Sequence, residues 1–331
     1  MNDSDKKEIL LAISVPPFWH CGRTVRSQSI HMLIALAPAV LLALLHWGLP
    51  AARVMALAML VSMATEAACQ KLMEQKSSLE DGTAAITGLL LAFLLPATAP
   101  WWLVVIASVC AMGIGRMAFG GLGSAPVNAT LVGWAMVFVS FPVALDPSAS
   151  LLTSEFIDPL VRLKNFGAAS LSDVSMFDLL AGRQLGGLGA TQSAALLLGG
   201  LYISARGIVQ WQVPVAFLLG TFLTATCFWV ADSTLYASPV FHLFTGSTML
   251  AAFFLATEAS CSPHRPLPML IYGFIGGALV ILIRIFGVYT DGAPFAVMLI
   301  NLLAPMCAVI PSYPFGTKRR GILSYLGRGK A

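Results

Sequence analysis

A chain of 331 residues that is 58% hydrophobic and only 10% charged, with a mean hydropathy of +0.84, lies far from the roughly 25% charged content of soluble domains and reads as an integral membrane protein. The net charge of +4 comes from thinly spread lysines and arginines with no aromatic platform beside them, which excludes a nucleic-acid surface. Six cysteines without a CxxC and five histidines without a pair at ligand spacing give no metal to assign.

Residues 1–28 are polar, with Lys6, Lys7, Arg23 and Arg26, and carry no short apolar core ending in a small-residue cleavage site. The first span is therefore expected to act as the insertion signal. Apolar runs follow at 29–49, 51–69, 100–119 and 126–144, with a shorter one at 83–95. After the long polar stretch 146–192 come a short run at 193–205, full runs at 213–231, 268–288 and 294–312, and another short one at 245–257. A spanning helix needs about 20 apolar residues, so the short runs read as broken or re-entrant segments. The expected fold is an all-α polytopic membrane protein of about ten segments. Trp101, Trp102, Trp211, Tyr236 and Tyr313 fall at the expected span ends, as interfacial anchors do.

Ten crossings put both termini on one side. On that topology Lys6, Lys7, Arg23, Arg26, Lys71, Lys76, Arg116, Arg206, Arg265, Lys318, Arg319, Arg320, Arg328 and Lys330 share the terminal side, and only Arg53, Arg162, Lys164, Arg183 and Arg284 face the other. Positive charge accumulates inside, so the termini are expected in the cytoplasm and the 146–192 loop outside. The basic tail 313–331 then marks the lipid headgroup boundary.

Two stretches resemble one another. Thr87-Gly88 and the apolar run behind it match Thr245-Gly246 and its run, and downstream Arg116 with Ser124-Ala125-Pro126 matches Arg284 with Gly292-Ala293-Pro294. Each copy holds five spans, an odd number, so the second copy enters from the opposite side: two inverted repeats, 29–145 and 193–312, each with one short or broken helix. Such segments at corresponding places point to a binding site, which makes Thr87, Gly88, Thr245 and Gly246 candidates for a ligand or ion path; close helix packing through Thr-Gly is the plainer alternative.

Few polar groups sit in apolar surroundings. Glu66 reads as a boundary carboxylate or a proton or cation relay, and Asp81 as the N-cap of the first short helix or an ion-coupling group. Asn128, Thr130 and Asn301 are expected to bond between helices, and Glu258 to be solvated. The loop 146–192 closes on Gly189-Ala190-Thr191 before the next apolar run. A threonine behind a small, flexible pair at a membrane surface is a candidate for covalent modification, or an ordinary helix cap. Leu185, Leu188 and Leu196 are its apolar neighbours.

These features together resemble the RnfD/NqrB family, and RnfD more closely. The resemblance rests on the segment from Asp81 to Pro96, on Gly120-Gly-Leu-Gly-Ser-Ala-Pro126, and on the segment from Phe244 to Thr257, within a likeness over about 14–315. It implies a membrane component of an ion-translocating ferredoxin:NAD oxidoreductase in a bacterial inner membrane. It also implies FMN held on Thr191 by a phosphodiester, a second, non-covalent flavin such as riboflavin, a flavin transferase for maturation, and the partners RnfA, RnfB, RnfC, RnfE and RnfG. Leu188 stands where the family's attachment motif usually has Ser or Thr, and Thr257-Glu258-Ala259 where a Thr-Asp-Pro-like stretch is usual. The competing expectation is a stand-alone channel or transporter for a small polar solute on a urea-channel-like fold.

Overall fold

The computed structural model describes residues 24–74, 78–145, 158–171 and 174–308. Within them all regular structure is helical. Thr24 caps α1 (Val25–Trp47) by accepting from the Ser27 amide, and Gly48, at φ 60°, turns the chain directly into α2 (Leu49–Leu72), where Pro50 fits the first turn. Then come α3 (Thr83–Leu94), α4 (Trp101–Val109), which runs on into a π turn at Cys110–Ile114, and α5 (Ala129–Ser140). The loop contributes two short helices, α6 (Pro159–Phe166) and α7 (Met176–Ala181). The second block holds α8 (Ser193–Ala205), α9 (Gln212–Ala231), α10 (Pro239–Phe244), α11 (Thr248–Leu250) with its π turn Ala251–Leu255, α12 (Pro266–Phe286) and α13 (Ala293–Ala308).

Five of these helical segments are long and apolar enough to cross a membrane: α1, α2, the Trp101–Phe119 segment, α9 and α12. The apolar helices α3, α5, α8 and α13 are shorter. The run 126–144, expected to be helical throughout, is an α-helix only over Ala129–Ser140. Asn128 caps it, its side chain accepting from the Thr130 amide, and the chain leaves the helix at Phe141-Pro142.

Helices approach through small residues, because lipid gives no hydrophobic drive between helices and close backbone contact is the alternative. A Cβ on Gly88 of α3 would lie 2.6 Å from the Ala58 carbonyl of α2, and one on Gly273 of α12 would lie 2.7 Å from the Val213 carbonyl of α9. Gly277 sits over the Phe217 carbonyl, and Gly199 of α8 over that of Ala35. Outside this core, Leu41, Leu45, Leu60, Leu223 and Val230 are exposed on the long helices, the apolar surface a bilayer would cover. Tyr313 and the tail 313–331 lie outside the described residues, as do 1–23.

Candidate functional site

The loop 184–193 is wedged between the end of one short helix and the start of the other. Phe93 and Leu95, at the end of α3, offer carbonyls to it: Leu188 N donates to Leu95 O at 2.8 Å, and the Gly189 and Ala190 amides donate to Phe93 O at 3.3 and 3.1 Å. On the other flank Gln184 Nε2 donates to Phe244 O and to Thr191 O, both at 3.1 Å, its Oε1 accepts from the Gly246 amide, and Ser193 Oγ donates to Phe244 O at 2.7 Å. The glycines are required by this fit. A Cβ at Gly187 would lie 2.5 Å from Phe93 O, and one at Gly189 would overlap the Phe93 ring.

Thr191 is only 1% exposed, and its hydroxyl donates to Gly187 O at 3.3 Å, long for an O–H···O bond. The N-cap of α8 is Gln192, so Thr191 is not the cap. Leu188 and Leu196 are fully buried in the main core, where Leu188 fills a position in which a hydroxyl would need a partner; of the three apolar neighbours, Leu185 lines open space.

That space is a cavity of about 530 Å³ beside the loop, within the range of about 300–1,000 Å³ typical of small-molecule sites. Leu185, Gly186, Gly187 and Ala190 form one wall. Another part of the lining is aromatic: Tyr289 stacks on Phe295 at 4.9 Å, and Phe138 meets both edge-on and stacks on Trp134 at 4.8 Å. Polar groups converge from Asp158, Arg162, Gln184, Ser247, Thr290 and Asp291. Lys164 of α6 holds the loop to this wall by donating to the carbonyls of Gly287 (2.5 Å), Val288 (2.8 Å) and Tyr289 (3.4 Å) at the end of α12, where a cation complements the helix dipole. Asp158 caps α6, its Oδ1 accepting from Leu160 N at 2.9 Å and Val161 N at 3.2 Å. Burial pushes its carboxyl up to about 6 against those two bonds, and Asp291 adds to the rise. The surrounding protein removes bulk water while the cavity leaves the side chain half-accessible.

Each short helix also meets a buried arginine at its start. Arg116 donates to Thr83 Oγ1 at 2.6 Å and pairs with Glu66 at 3.5 Å; Glu66 in turn accepts from Gln70 and Ser78. Arg284 donates to the carbonyls of His242 and Thr245, both at 2.9 Å, and to Thr248 Oγ1 at 2.8 Å, and pairs with Asp291 at 3.2 Å. Asp291 also takes the Ser247 amide at 2.9 Å and the Ser247 hydroxyl. A cation at a helix N-terminus opposes the dipole, and in both places a carboxylate offsets it.

The structure thus gathers Thr191, Gly189, Ala190, Thr245 and Gly246 around the loop and cavity, and leaves Glu66, Asp81, Thr87 and Gly88 elsewhere. Asp81 is not the cap of α3. That place belongs to Gly82 at φ 71°, without a side-chain bond, while Asp81 ends a 3-10 turn. Thr87 donates back to Thr83 O within α3 and Gly88 serves the contact with α2, whereas Gly246 (φ 62°), like Gly82, stands in the left-handed region. Glu66 is buried and paired. Asn128 donates to Leu255 O at 3.1 Å and Asn301 accepts from Tyr272 at 2.6 Å, both between helices; Glu258 is half-buried. Gln184, Asp158 and Asp291 escape a reading of the sequence, where a lone glutamine and two loop aspartates carry no pattern.

Fold and site define a multi-pass membrane protein, its regular structure helical throughout the described residues, with a ligand-sized cavity beside the loop 184–193. The chain belongs to the NQR2, RnfD, RnfE family, whose family model matches residues 12–312. It is 33% identical over 304 residues to the D subunit of the Na(+)-translocating ferredoxin:NAD(+) oxidoreductase complex of Acetobacterium woodii, covering 90% of this chain and 93% of that protein. It is 34% identical to the D subunit of the ion-translocating oxidoreductase complex of Klebsiella pneumoniae (90% and 96% covered) and 35% identical to that of Pseudomonas aeruginosa (89% and 93% covered).

Proposed function

We propose that this chain is the D subunit of an Rnf-type ion-translocating oxidoreductase and carries electrons between partner subunits through FMN bound covalently to Thr191. The single observation that carries the flavin reading is that Gly186, Gly187 and Ala190, next to the buried Thr191, line a cavity of about 530 Å³ whose lining also includes Trp134, Phe138, Tyr289 and Phe295. The residues present fit the group. Gly186 and Gly187 both line the cavity and lie against Thr191, the threonine hydroxyl is held by one long bond, and Arg162 offers a cation at the rim. Bound there, the flavin supplies the one- and two-electron redox chemistry that no protein side chain provides.

The chain's own part is positional. Phe93, Leu95, Gln184 and Ser193 fix the loop from both sides, so the attachment residue is held by two helices rather than by a free surface turn. The two arginine clusters support the inverted repeat: each arginine pairs with a carboxylate and donates to a threonine where a short helix begins behind a left-handed glycine. With ten crossings the charge asymmetry puts the termini in the cytoplasm and Thr191 on the periplasmic side of a bacterial inner membrane. RnfA, RnfB, RnfC, RnfE and RnfG are then the partners, with a flavin transferase needed for maturation. A second, non-covalent flavin, riboflavin, belongs to the same reading, which assigns no residue to it.

The test is fluorescence of the denatured chain in a gel, after expression with a flavin transferase. A fluorescent wild-type band that goes dark in Thr191→Ala supports the reading, and a dark wild-type band overturns it.

A further inference from the structure

We infer that Asp158 is a proton-exchanging group of the cavity, taking up a proton when the cavity's occupant gains negative charge, and that Asp291 is the fixed anion against which it works. The inference rests on the flavin reading for the identity of the occupant, and on geometry for the rest.

Two carboxylates face one cavity, in unlike surroundings. Asp291 is locked: Arg284 and Ala293 N donate to Oδ1, and Ser247 donates to Oδ2 through both its amide and its hydroxyl. Asp158 takes only the two α6 amides, both on Oδ1, and its carboxylate has no other hydrogen bond among the described residues. Its Oδ2 is the atom free to carry a proton. Titratable pairs whose environments differ in this way are where acid and base roles separate. Burial, the largest influence, and the neighbouring Asp291 favour the protonated form of Asp158, against its two amide bonds and the Arg284 charge.

The other charged groups around it do not take this role. On α6 itself, Arg162 lines the cavity and Lys164 is engaged with the α12 carbonyls. From the second block, Arg284 is committed to Asp291 and to backbone carbonyls, Tyr289 belongs to the aromatic wall, and His242 lies buried on α10. Asp178 of α7 and Arg183, just after it, pair with each other at the surface. The exchange is balanced simply. One electron supplied by a low-potential donor adds one negative charge to the flavin, one proton from water adds to Asp158 Oδ2, and both leave on reoxidation; no covalent bond other than O–H forms or breaks.

The experiment is a spectroelectrochemical titration of the Thr191-linked flavin in the assembled complex from pH 5 to pH 8. The wild-type midpoint potential is expected to change slope near pH 6. In Asp158→Asn, which keeps a good helix cap, the break should vanish while in-gel fluorescence of the chain is retained. A break that persists in a flavinylated Asp158→Asn, or none in the wild type, overturns the proposal. A second readout needs neither the variant nor the flavin: dicyclohexylcarbodiimide, which attacks protonated carboxyls in apolar surroundings, should label Asp158 of the wild-type chain below about pH 6 and not above it, as read by peptide mass spectrometry. Labelling of Asp158 that is absent, or the same at every pH, overturns the proposal. A wild-type chain without flavin defeats the flavin reading instead, and the labelling alone then decides whether Asp158 exchanges a proton.

Discussion

Asp158 is a carboxylate whose burial works against it. In the folded chain its carboxyl is pushed up to about 6 from an ordinary 3.8, so the folded state binds this proton more tightly than the unfolded one. Its contribution to stability is therefore fully present below about pH 4 and is lost as the pH rises through about 6. Asp158→Asn should melt at a higher temperature than the wild type at pH 7 and at nearly the same temperature at pH 4, measured in detergent; equal differences at both pH values would contradict the assignment. Glu66 is held instead by a charged partner. Its partner Arg116 is buried, and taking away one member of a buried pair costs about 3–5 kcal/mol because the other charge is stranded. Glu66→Ala and Glu66→Gln should accordingly both lower the thermal midpoint, the alanine further because the glutamine keeps an acceptor for Gln70 and Ser78. In the sequence Glu66 is legible as an unusual carboxylate, but its partner is 50 positions away by residue number and no local spacing connects them.

At the scale of elements, α1, α2, the Trp101–Phe119 segment, α9 and α12 can be read directly, since a run of apolar residues of membrane length has few other fates. The short helices α6, α7 and α10 give no such signal. They hold six to eight residues each and are stabilised by a shared cluster, Leu160, Leu179, Ala237 and Phe241, assembled from distant parts of the chain. The start of α3 misleads for a related reason: Asp81 has the right chemistry for a cap, but Gly82 in the left-handed region makes the turn and Arg116 arrives from beyond α4 to bond Thr83. The loop shows the same dependence on a neighbour. A methyl group at residue 189 would collide with the Phe93 ring, so Gly189→Ala should push the loop off α3 and reduce flavin attachment several-fold without unfolding the helices. In-gel fluorescence alongside circular dichroism checks this, and unchanged fluorescence would contradict it. Gly277→Leu, which drives a side chain into the Phe217 backbone of α9, should instead destabilise the whole second block.

For the whole molecule, the family is readable in the sequence from the segments 81–96, 120–126 and 244–257, and residues 12–312 match the family model. Local backbone is less legible than the letters: Gly82 and Gly246 both stand in the left-handed region before a short helix, whereas Gly88 lies inside α3. Orientation is a property of the chain in its membrane, and a reporter fused at Lys164 should be active only in its periplasmic form; activity in the cytoplasmic form would reverse the topology. The central claim, that a flavin is bonded to Thr191, is tested most directly on the tryptic peptide bounded by Arg183 and Arg206, residues 184–206. Mass spectrometry of that peptide from chain matured with a flavin transferase should find an FMN adduct with fragmentation placing it on Thr191. An unmodified peptide, or an adduct on another residue, would contradict the account.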